Sequence, residues 1–132
     1  MTIELTLLAW TLVLALVQIM LPATLRTKET GTAYNVGPRD EAGPPVGRLT
    51  GRLQRAEKNL YETLPLFIAA VLIAHVAGRE CSQTAWGASL YLAGRVLYVP
   101  LYALGVPVVR TLSWGVSAAG LGMVLAAVLV PG

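Results

Sequence analysis

Residues 5–25 run for 21 positions without a single charge, and Gln18 is the only strongly polar side chain among them. As a helix this stretch is about 31 Å long at about 1.5 Å per residue, enough to cross a hydrocarbon layer of about 30 Å. A chain with such a segment must satisfy its backbone internally, so helix is the expected form. The pattern recurs, and spans are expected at about 5–25, 50–78, 84–104 and 110–130. With 55% hydrophobic residues, 13% charged residues and a mean hydropathy of +0.64, little of the chain is left to build a water-soluble domain. Glu4 stands where a signal peptide would carry basic residues, and no clean small-residue cleavage site follows, so the first run is read as a retained span.

Charge placement orients the spans. Seven of the ten basic residues fall between Arg26 and Lys58, whereas Arg79 and Arg110 are isolated. The positive-inside rule puts the connector at about 26–49 in the cytoplasm and both termini on the other side. That connector holds Gly31, Gly37, Pro38, Gly43, Pro44, Pro45 and Gly47, a density that predicts an irregular loop. Arg39, Asp40 and Glu41 are placed to order it by local pairing. The other connectors are short, which makes successive helices antiparallel neighbours. The fold class is an all-α membrane protein, an up-down four-helix transmembrane bundle in a single domain over 1–132. A net charge of +3 beside a bilayer suits lipid headgroups and implies no nucleic-acid partner. The single histidine, His75, and the single cysteine, Cys81, make a metal site, a disulfide or a cysteine nucleophile improbable in this chain.

Two polar groups interrupt the apolar pattern. Arg55, Asn59 and Glu62 lie at i, i+4 and i+7 and so share one helix face at the mouth of the second span. Arg95, Tyr98 and Tyr102 share a face of the third span at i, i+3 and i+7, with Tyr91 one turn earlier. An arginine at membrane depth needs an anion or hydrogen-bond acceptors, and Glu62 is the expected partner, buried and within reach. A structural reading stands beside the functional one: tyrosines also form interfacial belts, and Arg95 with Glu62 also serves as a packing pair. In the fourth span Gly115, Ala118, Ala119, Gly122 and Ala126 form a stripe of small residues suited to close helix approach.

The segment RAEKNLYETLPLF, with GRVLYVPLYALG and a later arginine, resembles the MAPEG family, the membrane-associated proteins in eicosanoid and glutathione metabolism. Arg55, Ala56, Asn59, Glu62, Pro65 and Phe67 carry the second-span pattern, and Arg95, Tyr98 and Tyr102 carry the third. The resemblance, closest to bacterial-type members, implies a homotrimer in a bacterial inner membrane with glutathione as co-substrate between neighbouring subunits. Arg55, Asn59, Glu62, Arg95, Tyr98 and Tyr102 are then the glutathione-binding residues, and Arg110 the catalytic one, stabilising the thiolate. The implied function is a glutathione-dependent transferase or peroxidase acting on lipophilic electrophiles. The alternative is a non-catalytic protein of the same fold, an accessory subunit or a module binding lipid or small molecules. Thr63 and Trp114 stand where eicosanoid-producing members carry tyrosines, which argues against those particular activities. Arg110 also has a plainer role open to it, a basic anchor reaching for headgroups.

Overall fold

A computed structural model describes residues 1–130 as helices joined by short connectors. The expected 1–132 domain extends two positions past them, outside the described residues. The elements are α1 (Ile3–Thr30), α2 (Thr32–Val36), α3 (Arg48–Val76), α4 (Ser82–Ala103) and α5 (Pro107–Leu129). By length and composition α1, α3 and α5 are able to cross a membrane. The third expected span, α4, is long enough at 22 residues but is not among these helices. Ser82, Gln83, Thr84, Ser89 and Arg95 dilute its apolar content.

Local sequence signals explain where the helices begin. Thr2 caps α1, its hydroxyl accepting from the Leu5 amide at 3.3 Å, and Glu4 in the first turn complements the helix dipole. α5 opens with Pro107 at its first turn, where the missing amide hydrogen is no loss. In α3 the buried positions Leu53, Ala56, Leu60, Leu64, Phe67, Val71 and Ala74 recur every three or four residues, so one stripe faces the bundle. Phe67 stacks on Tyr91 of α4 with centroids 4.0 Å apart, and the Tyr91 hydroxyl meets the Thr63 hydroxyl at 2.9 Å. Tyr91 therefore belongs to the core.

Long-range contacts set the helix directions. At one end Thr2 donates to Glu80 at 2.7 Å, His75 meets the same carboxylate at 3.1 Å, and Arg79 donates to the Val128 carbonyl at 2.7 Å. Burial pushes the Glu80 carboxyl up, but its hydrogen bonds to Thr2 and His75 prevail and hold it below the ordinary range. At the other end Arg52 donates to the Ala103 carbonyl at 3.1 Å. The chain thus runs up and down, with its described termini and the 77–81 connector together.

The 26–49 connector is more ordered than its composition suggests. α1 continues to Thr30, a further helical turn follows over Thr32–Val36, and Gly31, at φ 88°, makes the break between them. Tertiary ties hold this geometry. Arg26 pairs with Glu29 at 2.9 Å and donates to the Pro44 carbonyl at 2.7 Å. Glu29 accepts from the Thr50 hydroxyl at 2.6 Å and the Gly47 amide at 3.1 Å. Arg39 bonds the Asn35 carbonyl at 2.8 Å and forms no ion pair with Asp40 or Glu41, contrary to expectation. Glu29 ties the end of α1 to the start of α3 through its bonds to Gly47 and Thr50, so Glu29→Ala is expected to loosen the loop. Faster proteolysis between residues 31 and 47 in detergent is the readout, and an unchanged cleavage rate would remove Glu29 from this role.

α4 and α5 approach most closely through glycine. A Cβ on Gly87 would lie 2.6 Å from the Gly120 carbonyl oxygen, and one on Gly94 would lie 2.7 Å from the Ser113 carbonyl oxygen. The Ser113 hydroxyl donates to the Gly94 carbonyl at 2.6 Å. The contact face of α5 is thus Ser113, Ser117 and Gly120. In the expected stripe, Gly115 and Gly122 meet nothing within 4 Å, so it does not make this intrachain contact.

Candidate functional site

The polar residues of α3, α4 and the start of α5 meet at the connector end of the bundle. Antiparallel packing sets the second turn of α3 beside the last turns of α4, and the tight 104–106 turn brings Arg110 back to the same place. Arg52 shapes that turn: it donates to Ala103, and its guanidinium packs where a Cβ on Gly105 would lie, 2.9 Å away. Gly105 adopts φ +72°, a conformation glycine takes without strain. Sequence reasoning did not single out Arg52. The available signal was its position three residues before Arg55, on the same face.

One network connects most of the candidates. Arg95 is fully buried and donates from Nη1 to Asn59 Oδ1 at 2.8 Å. Its guanidinium carbon lies 4.4 Å from the centre of the Tyr98 ring, and Tyr98 packs edge-on against Tyr102 at 5.5 Å. Arg55 donates from Nε to the Tyr102 hydroxyl at 3.2 Å. Arg110 lies over the Tyr102 ring at 4.5 Å. Arg55, Asn59, Arg95, Tyr98, Tyr102 and Arg110 are therefore linked side chain to side chain, with Tyr102 shared by two guanidinium groups.

Glu62 departs from expectation. It is exposed within the chain and forms no ion pair among the described residues, and Arg95 takes Asn59 as its hydrogen-bond partner instead. The helical period put Arg55, Asn59 and Glu62 on one face but not at one depth relative to α4; the register between the helices sets Asn59 level with Arg95.

Three arginines in this network thus have no paired carboxylate among the described residues, and Nε and Nη2 of Arg95 are buried with no hydrogen-bond partner. A buried guanidinium left in this state is unfavourable, and an acceptor brought to these donors would relieve that cost. Rings stacked on the guanidinium groups compensate part of the charge by cation–π attraction, worth about 0.5–2 kcal/mol each. Chemically the cluster is able to bind a carboxylate or hold a thiolate in its ionised form.

Long apolar helices packed around a polar cluster define an integral, multi-pass membrane protein. The chain belongs to the MAPEG family, which it matches over residues 7–130, and that family includes both glutathione-dependent transferases and non-catalytic members. No curated protein and no solved structure gives a significant match.

Proposed function

We propose that this protein is a glutathione-dependent transferase or peroxidase acting on lipophilic electrophiles dissolved in the bilayer. The observation that carries the reading is the linked cluster of Arg55, Arg95 and Arg110 without a paired carboxylate, with two buried Arg95 donors free. Glutathione has carboxylates for Arg55 and Arg95 and a thiol whose ordinary pKa of about 8.5 falls beside a guanidinium. Tyr98, Tyr102 and Asn59 orient those arginines. Glu62, exposed in the single chain, is free to take the glutathione ammonium or to face a neighbouring subunit. In this reading all four long helices span the membrane, the chain forms a homotrimer, and the connector end is cytoplasmic, with both termini outside a bacterial inner membrane. A thiolate formed there attacks the electrophilic carbon of a lipid-soluble substrate and displaces its leaving group, or reduces a hydroperoxide.

A second reading, a non-catalytic binding module or accessory subunit, draws on the stacking of Arg110 on Tyr102, which a structural anchor also makes. One experiment separates the two. Purified protein is supplied with glutathione and either a chlorodinitrobenzene or a lipid hydroperoxide, and both thiolate absorbance and turnover are followed. Turnover supports the enzyme, thiolate absorbance without turnover supports a thiol-binding module, and the absence of both signals overturns the glutathione reading and favours the structural role. Arg95→Gln is expected to weaken glutathione binding about 10–100-fold, the weight of hydrogen bonds to a charged group. Titration calorimetry checks this, and unchanged affinity would remove Arg95 from the site.

A further inference from the structure

The flank formed by α1 and the first turns of α3 carries an open groove of about 610 Å³, whose lining includes none of the residues of the arginine–tyrosine network. Leu16, Met20, Leu21 and Leu25 of α1 and Leu53 of α3 line it, and Lys28 closes its end toward the connector. Its polarity is graded along the helix: apolar from Leu16 to Leu25 apart from Thr24, then a cation one turn later. From Leu16 to Lys28 α1 rises about 18 Å. One leaflet contributes about 15 Å of hydrocarbon, half of a core of about 30 Å. The groove therefore has the length of one leaflet, with its charge near the level where headgroups begin.

Lys28 is exposed and forms no ion pair among the described residues, whereas nearby Arg26 is held by Glu29 and by the Pro44 carbonyl. α3 begins at this end with Arg48, a second exposed cation beside the groove-lining Leu49. An apolar channel ending at an unpaired ammonium complements a molecule with a long acyl chain and a negative head. Covering the groove with a second copy of this chain would desolvate Lys28 unless a carboxylate were brought to it. A phospholipid brings its own anion and leaves the ammonium at the wet interface.

We propose that this groove binds one anionic phospholipid, an acyl chain lying along Leu16, Met20, Leu21 and Leu25 and the headgroup phosphate at Lys28. The site is independent of the thiol reading and stands whether or not the protein is an enzyme.

Native mass spectrometry of the detergent-solubilised full chain tests it, with phosphatidylglycerol and phosphatidylcholine of matched acyl chains as probes. The expected result is one phosphatidylglycerol retained per chain in preference to phosphatidylcholine. Lys28→Gln should reduce that preference about fivefold, the weight of one basic residue at an anionic surface. Leu21→Trp, which fills the groove, should abolish retention of both lipids. Lys58→Gln, an exposed lysine outside the groove, should change nothing. Equal retention of the two lipids by the wild type overturns the proposal, as does an equal loss in Lys28→Gln and Lys58→Gln, which would reduce the effect to general surface charge. Chain-to-chain disulfide formation in membranes by Leu21→Cys in a Cys81→Ser background overturns it in favour of a second copy of the chain.

Discussion

Gly94→Val is expected to destabilise the protein by at least about 3 kcal/mol, the upper end of the range for overpacking a tight contact. A Cβ at this position would lie 2.7 Å from the Ser113 carbonyl oxygen, 2.8 Å from the Ser117 amide nitrogen and 2.9 Å from the Ser117 Cβ. Two of those atoms are backbone and have no rotamer to escape into, so α4 and α5 must separate. Separation also breaks the bond from the Ser113 hydroxyl to the Gly94 carbonyl. In lipid, helix association rests on close packing and such bonds more than on hydrophobic burial, so this loss is not recovered elsewhere. Gly122→Val is the control, because a Cβ at Gly122 meets nothing within 4 Å of its own chain. Thermal unfolding followed by circular dichroism in detergent should show a large fall in midpoint for Gly94→Val and almost none for Gly122→Val at concentrations that leave the chain monomeric. Equal midpoints for the two variants would show that the α4–α5 contact tolerates separation.

This pair of glycines also shows where sequence reading stops. The all-helical class and three of the four apolar runs were legible because each is a property of consecutive residues. So were the faces: a period of 3.6 puts Arg55 with Asn59 and Arg95 with Tyr98 whatever else the chain does. Which face meets which neighbour is set by helix rotation and depth, and no single helix encodes these. The small residues of α5 suggested a stripe through Gly115 and Gly122 for subunit or helix contacts, and within the chain the rotation of α5 presents Ser113, Ser117 and Gly120 instead to Gly87 and Gly94 of α4. Charge alone matched Glu62 to Arg95, whereas the α3–α4 register matched Asn59. The continuation of α1 to Thr30 was hidden for a related reason. Glycine and proline in the connector read as an irregular loop, but Glu29 and Arg26 fix the segment through partners 15 or more residues away. Motif residues proved easier to place together than to pair.

Arg110→Ala is expected to raise the pKa of a bound thiol by about 1–2 units, equivalent to about 1.4–2.7 kcal/mol of lost thiolate stabilisation. The argument starts from position. Arg110 follows Pro107 by three residues, in the first turn of α5, and its guanidinium sits 4.5 Å over the Tyr102 ring that Arg55 also holds. Stacking leaves the edge of a planar guanidinium free to donate, and that edge is suited to stabilising a negative sulfur. Removing this group withdraws one charge and its hydrogen bonds while, on the proposed reading, Arg55 and Arg95 still hold the carboxylates of glutathione. Thiol binding should therefore survive above the raised pKa, and turnover at neutral pH should fall by about the same 10–100-fold as the thiolate population. The sign is fixed: a cation nearby favours the ionised thiol, so its loss moves the titration toward higher pH. Arg110→Lys separates this role from simple anchoring. Lysine snorkels to headgroups as arginine does, but it lacks the planar face for Tyr102 and the forked edge for sulfur. An anchor predicts wild-type titration in Arg110→Lys, while a thiolate-stabilising arginine predicts a pKa between those of the wild type and Arg110→Ala. Ultraviolet titration of the bound thiolate in the three proteins decides between them, and three superimposable curves would leave Arg110 as an anchor.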